Sequence, residues 1–179
     1  MQVSLFRLAR YVSLAALCLV ITPAAFAQKD FALNVSVTTS EHSRDSNSTT
    51  KTFRVSANTL WYEETYQGAR ASRHPTLKKE YELTADDRAK LVELLKDKSL
   101  LRTKTIAKSA EPGAPGRDFE ISITARLNGK RGLISIKAPR SAIALKADPL
   151  YQGSVLLIGE LYRIINRTDP DITFDELIK

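Results

Sequence analysis

Few residues in this sequence could do chemistry, and their neighbours decide what each can be. There are two histidines, His42 and His74. Glu41, His42, Ser43 and Asp45 are the types that general acid–base catalysis or metal ligation uses. They fall within Ser40–Thr49 (SEHSRDSNST), which is polar throughout and reads as a loop. A loop without a rigid scaffold gives such a group poor geometry. His74 stands before Pro75 in a basic loop, Gly68–Pro75 (GARASRHP), with no carboxylate in it. Glu63 and Glu64 are neighbours on a strand-like stretch, so they point to opposite faces and cannot share a substrate. Asp169, Asp171 and Asp175 have a spacing that hints at calcium. An EF-hand loop needs glycine at its sixth position, where Phe174 stands. The chain contains no G-x-S-x-G, no phosphate-binding glycine loop and no H-E-x-x-H. The sequence therefore nominates no catalytic residue, no metal ligand and no cofactor.

Two features suited to binding remain. Trp61, Tyr62 and Tyr66 are the one concentration of aromatics. On a strand Tyr62 and Tyr66 share a face and Trp61 takes the other. One of those faces is core. The other either lies under a covering loop or presents an aromatic patch to a partner or a glycan, with Trp61 as the candidate. The second feature is a basic cluster, Arg126, Lys130 and Arg131. It surrounds Asn128-Gly129, a pair that tolerates the positive φ of a two-residue type I′ turn. Its charges either splay into water or meet an anion.

The elements that must position these residues are legible from periodicity. In Asp118–Ala138, Phe119, Ile121, Ile123, Ala125 and Leu127 fall on every second residue, the period of a half-buried strand. With a two-residue turn the register follows: Ile123 opposite Ile134, Ile121 opposite Ile136, Phe119 opposite Ala138. Glu120 faces Lys137 on the other side, and Arg126 faces Arg131. Four earlier strands are expected: one from Phe31 to Thr38, one from about Thr50 to Ala57, one beginning at Leu60, and one over Leu77–Leu83. The last has a charged outer face (Lys78, Glu80, Glu82) that suits an edge. A helix capped by Thr84, with Asp87 three residues on, carries Leu91, Leu94 and Leu95 as its apolar stripe and ends near Ser99. Leu100-Leu101 should drop into the core, and Thr103–Ala107 reads as a short strand. Ser109–Gly116 is a Pro/Gly loop. Asp148 caps a long second helix with Pro149 at its first position. Its glycines Gly153 and Gly159 suggest close packing against the sheet. Thr173 and Glu176 would cap a terminal helix over 174–178.

Composition bounds the rest. Residues 1–27 read as a signal peptide, with an uncleaved N-terminal anchor as the alternative: two arginines, an apolar run over Tyr11–Ile21, Pro23, then Ala25-Phe26-Ala27 as the cleavage pattern. Cys18 is the sole cysteine and lies within it, so the mature chain has no thiol for a disulfide, a metal or catalysis. Removing Arg7 and Arg10 lowers the net charge from +7 to +5. The basic excess concentrates between Arg117 and Lys146, which suggests anionic surfaces as well as ordinary solubility. No basic stripe with interleaved aromatics points to nucleic acid. After Thr168 the sign reverses.

From Leu77 to Asn166 the chain runs strand, capped amphipathic helix, loop, hairpin, proline, helix. This order resembles that of emfourins, small bacterial protein inhibitors of thermolysin-like metalloproteases, and of other exported bacterial domains. The resemblance covers about half the chain and carries no inhibitory residue across. It implies a binding role directed at a protein.

The expectation is an α+β fold: an antiparallel sheet of about five to seven strands with two main helices packed on one face. Residues 28–168 form one domain and 169–179 a short acidic tail. The protein is exported, periplasmic or secreted, with no transmembrane segment after signal cleavage. It is a non-enzymatic binding module whose partner is an envelope or extracellular protein. The candidate binding residues are Trp61, Arg126, Lys130 and Arg131. Electrostatic association with an anionic surface is a second reading, and a loop-based hydrolase a third.

Overall fold

The computed structural model describes residues 30–41, 47–108, 117–139 and 142–174. The segment read as a signal peptide, His42, the Pro/Gly loop after Lys108 and residues 175–178 of the expected terminal helix lie outside them. Among the described residues, seven strands and two α-helices follow one another as β1 (Phe31–Glu41), β2 (Asn47–Ser56), β3 (Thr59–Gln67), β4 (Leu77–Glu82), α1 (Ala85–Asp97), β5 (Thr103–Ala107), β6 (Arg117–Leu127), β7 (Lys130–Pro139) and α2 (Pro149–Ile165). The strands form one sheet in the order β4–β3–β2–β1–β6–β7–β5. The fold is α+β, as the periodicity implies, and both helices cover the same face.

That face is built by alternation. Val35, Phe53, Leu60, Tyr62, Ile121, Ile123, Ile134 and Ile136 are all at most 1 % exposed and point toward Leu91 and Leu95 of α1 and Leu157, Ile158 and Leu161 of α2. Burying each such side chain is worth about 1.5–3 kcal/mol. Within the hairpin the register is the expected one, with Ile121 opposite Ile136 and Ile123 opposite Ile134. Asn128 (φ 50) and Gly129 (φ 77) take the positive angles of the type I′ turn. Asp30 secures the turn from outside: its backbone oxygen accepts from the Asn128 amide (3.2 Å) and its carboxylate from the Gly129 amide (3.0 Å).

Both helices start as their caps dictate. Thr84 and Asp87 form a complete capping box on α1, and the Asp148 carboxylate accepts from Leu150 and Tyr151 ahead of α2. Asp87 does more than cap. Its 3 % exposed side chain also accepts from Arg163 (2.7 Å) and Arg167 (2.6 Å), which ties α1 to the end of α2. At the far edge, Asp169 accepts from Lys79 and from the Tyr81 hydroxyl, both at 2.7 Å, and joins the segment after α2 to β4. The acidic spacing that hinted at calcium thus places one carboxylate in a latch.

Several local readings change. The polar stretch Ser40–Thr49 is partly strand: β1 runs on to Glu41 and β2 begins at Asn47, paired with it. Thr and Ser serve well on a wet strand face, and polarity alone does not mark a loop. The short strand β5 is real but runs parallel to β7 at the sheet's edge. It arrives there because α1 carries the chain across the sheet from the β4 edge. Gly132 makes this possible: a Cβ there would lie 2.3 Å from the Leu100 carbonyl oxygen. The close approach sets the Leu133 amide on the Arg102 carbonyl at 2.9 Å. Gly153 meets Lys98 at the end of α1 rather than the sheet, and an added Cβ at Gly159 would meet nothing within 4 Å.

Candidate functional site

The second face of the sheet carries neither helix. Its residues are the even positions of β1, β2, β4 and β6 and the odd positions of β3, β5 and β7. All of them are exposed or half-buried. Small hydroxyls dominate the middle: Thr52, Ser36, Ser122 and Ser135 lie in one cross-strand row. An antiparallel sheet tolerates such a solvated face.

Trp61 stands on this face, 40 % exposed, because Leu60 and Tyr62 on either side are core. Its cross-strand neighbours are Arg54 on β2 and Glu80 on β4. One strand position along, Glu63 accepts Lys78 at 3.0 Å and Arg54 at 3.9 Å. Together these side chains line a shallow, open hollow of about 620 Å³ beside the indole. Its chemistry is that of a contact surface: a large ring with an N–H donor, flanked by guanidinium, ammonium and carboxylate groups. An amphipathic ring of this kind gives both apolar area and a polar handle.

Arg126 and Arg131 share the open face with Trp61, in register with each other near the hairpin turn. From Trp61, Arg126 is three strands away, about 14 Å laterally at the usual strand spacing. Lys130 is exposed but falls on the opposite side of the hairpin. Arg126 meets an anion of this same chain, the Asp30 carboxylate at 2.8 Å. The basic tip is thereby partly neutralised. Asp30 carries no sequence signal for this role, since the partners stand almost a hundred residues apart.

A second polar cluster lies on the helix-covered face, beyond the helices. Glu64 accepts from the hydroxyls of Tyr62 (2.7 Å) and Tyr66 (2.8 Å), and His74 stacks on Tyr66 with ring centroids 4.8 Å apart. Burial first, then the hydrogen bond to Glu64, push the Tyr66 hydroxyl up to about 12. Glu41 accepts Arg70 at 3.0 Å and Arg117 at 2.9 Å. Glu41, Glu64, Tyr66, Arg70 and Arg117, but not Tyr62 or His74, line a cleft of about 260 Å³ with their strand neighbours. The sequence gives no warning of it, because it depends on strand register and on the fold of the basic loop. Glu63 and Glu64 do diverge as expected, one to each face. Glu41 and Glu64 belong to separate groups, two strands and several residues apart, and each carboxylate is engaged by its own donors.

Among the described residues no group of three or more His, Cys, Asp or Glu could hold a metal ion, and no helix is long and apolar enough to cross a membrane. No protein-family model matches the chain, and a search of the curated proteins finds no match.

Proposed function

We propose that this chain is an exported, non-enzymatic binding module that docks a protein on the open face of its sheet, around Trp61. The observation that carries this is the placement of the sole tryptophan, 40 % exposed in the body of a sheet face that neither helix covers. A buried tryptophan would have served the core; an exposed one between Arg54 and Glu80 offers a partner an aromatic anchor with polar groups at its rim. The carboxylates support a binding role over hydrolysis, since Glu41, Glu63 and Glu64 are each held by donors within the chain. Envelope or extracellular proteins are the partner class that export implies. The emfourin-like element order adds thermolysin-like metalloproteases to the partners to be offered.

The test is capture of a protein partner by the immobilised chain and by Trp61→Ser, with circular dichroism to confirm that both fold. Specific capture by the native chain, lost in Trp61→Ser, is the expected result. Equal capture by both would remove the assignment. Association with anionic surfaces is the weaker reading, because Asp30 already holds Arg126 and Lys130 faces away from Arg131.

A further inference from the structure

We propose that the protein docked on the open face is a second copy of this chain, related by a two-fold axis that runs along β1. This rests on the reading of that face as a docking surface, and names its occupant.

The argument begins with the central strand. In the order β4–β3–β2–β1–β6–β7–β5, β1 has three strands on each side. The register defines one row across all seven: Glu80, Trp61, Arg54, Asn34, Thr124, Leu133, Thr103. Trp61 (40 % exposed) and Leu133 (48 %) are large exposed apolar side chains on this face. They lie in that same row, each two strands from β1 on opposite sides. A two-fold along β1, in the plane between two stacked sheets, exchanges left and right within a row. It sets each Trp61 over the partner's Leu133, twice, and places Asn34 over its own counterpart.

Charge follows the same exchange. On the β4–β3–β2 half the open face carries Glu63, Glu80 and Glu82 against Lys78 and Arg54, an acidic excess. On the β6–β7–β5 half it carries Arg126, Arg131 and Lys137 against Asp118 and Glu120, and Asp30 at the start of β1 holds Arg126, so this half is balanced. The proposed axis sets the acidic half of each copy over the balanced half of the other and keeps the two acidic halves apart. A two-fold running across the strands through the same row would instead stack Arg54 on Arg54 and Glu80 on Glu80, juxtapositions that like-charge repulsion disfavours.

Shape and size are compatible. A twisted sheet is a saddle, and a saddle is carried onto itself by a two-fold along its central strand, so the two faces can nest. Six strand spacings give a face about 29 Å wide, and five side-chain rows give about 27 Å of length. The product, about 780 Å², compares with the roughly 800 Å² per partner of a standard protein interface. The hydroxyl-rich middle predicts a wet interface held mainly by its two Trp61–Leu133 contacts.

Light scattering and site-directed cross-linking of the full chain test this, in a Cys18→Ser background that leaves introduced cysteines alone. Stacked sheets stand about 10 Å apart, so counterparts on the axis come within reach of a short bis-maleimide. Counterparts on β4 are about 29 Å apart and do not. The expected result is a dimer mass, a covalent dimer from Asn34→Cys, and none from Glu80→Cys. Trp61→Ser and, independently, Leu133→Ser should each raise the dimer dissociation constant about 30-fold, the loss of an interface hot spot. Cross-linking at both Asn34→Cys and Glu80→Cys would overturn the axis. A dimer unaffected by both serine variants would overturn the inference, since the copies would then meet elsewhere; the docking face falls only if partner capture also survives Trp61→Ser. A monomer from micromolar to millimolar concentration would overturn the second copy, while loss of partner capture in Trp61→Ser would still sustain the docking face.

Discussion

Replacing Asp87 by Asn should destabilise the fold by about 2 kcal/mol near neutral pH, and the loss should disappear in acid. The Asp87 carboxylate is nearly sealed from water and accepts from the Thr84 amide (3.0 Å), the Thr84 hydroxyl (2.6 Å), Arg163 (2.7 Å) and Arg167 (2.6 Å). Burial alone would raise its pKa; the hydrogen bonds from Thr84 and then from the two arginines outweigh burial and hold it at about 2, against an ordinary 3.8. One pKa unit corresponds to about 1.4 kcal/mol, so the depression is worth about 2.5 kcal/mol of stability when the group is ionised. The unfolded chain takes up the proton first as pH falls. The stabilisation is therefore complete above the unfolded pKa near 4 and is lost as pH drops through about 2. Asparagine keeps the shape and an acceptor for Thr84 but carries no charge. Arg163 and Arg167 are 48 % and 40 % exposed and stay hydrated, so their share is discounted and the estimate settles at about 2 kcal/mol. Urea unfolding of both proteins, followed by circular dichroism from neutral pH to about 2, measures the difference directly. A gap as wide in acid as at neutrality, or no gap at neutrality, would refute the reasoning.

Other perturbations probe other joints. Gly132→Ala would set a Cβ 2.3 Å from the Leu100 carbonyl and 2.9 Å from the Leu101 Cα, both backbone atoms, and should cost about 3 kcal/mol in urea unfolding. Gly159→Ala, with nothing within 4 Å of the added atom, should instead gain up to about 1 kcal/mol; equal effects would show that the close approach is not the cause. Tyr66, raised to about 12 by burial and by its bond to Glu64, should keep its proton past pH 11 in an absorbance titration. The stability it contributes is full below about 10 and is lost as pH rises through 12; Glu64→Gln should lower that pKa, and an unchanged titration would count against the contact. Asp30→Ala frees Arg126 and removes an acceptor from the Gly129 amide, and should cost no more than about 1 kcal/mol because the pair is half exposed. Co-sedimentation with anionic vesicles should then rise at low salt and fall at high salt; no change would show that the freed charge is without consequence.

The hairpin was legible because two local signals agree. Alternation from Phe119 to Leu127 sets the faces, Asn128-Gly129 sets the turn, and together they leave one register. The helix starts were legible because Thr84, Asp87, Asp148 and Pro149 act on backbone groups within three residues of themselves. The direction of β5 was hidden, since five residues of strand character carry no sign of which neighbour they meet. It depends on Gly132 admitting the Leu100–Arg102 backbone from thirty residues earlier. Asp30 and the Glu41 and Glu64 groups were hidden for the same reason. Their partners, Arg126, Arg117 and Arg70 among them, come close through strand pairing and loop path rather than spacing in the chain. Trp61 lies between: alternation put it opposite Tyr62, but only the placement of both helices on the Tyr62 side identifies which face is core.

The exposure of Trp61 is the most direct test of the docking face. Iodide quenching and emission wavelength should be followed from dilute to concentrated protein and on addition of a partner. A red-shifted, quenchable indole in dilute protein, becoming protected and blue-shifted as a partner docks, is the predicted result. An indole that is blue-shifted and protected even where light scattering shows a monomer would contradict the account, because it would mean that the chain covers Trp61 itself.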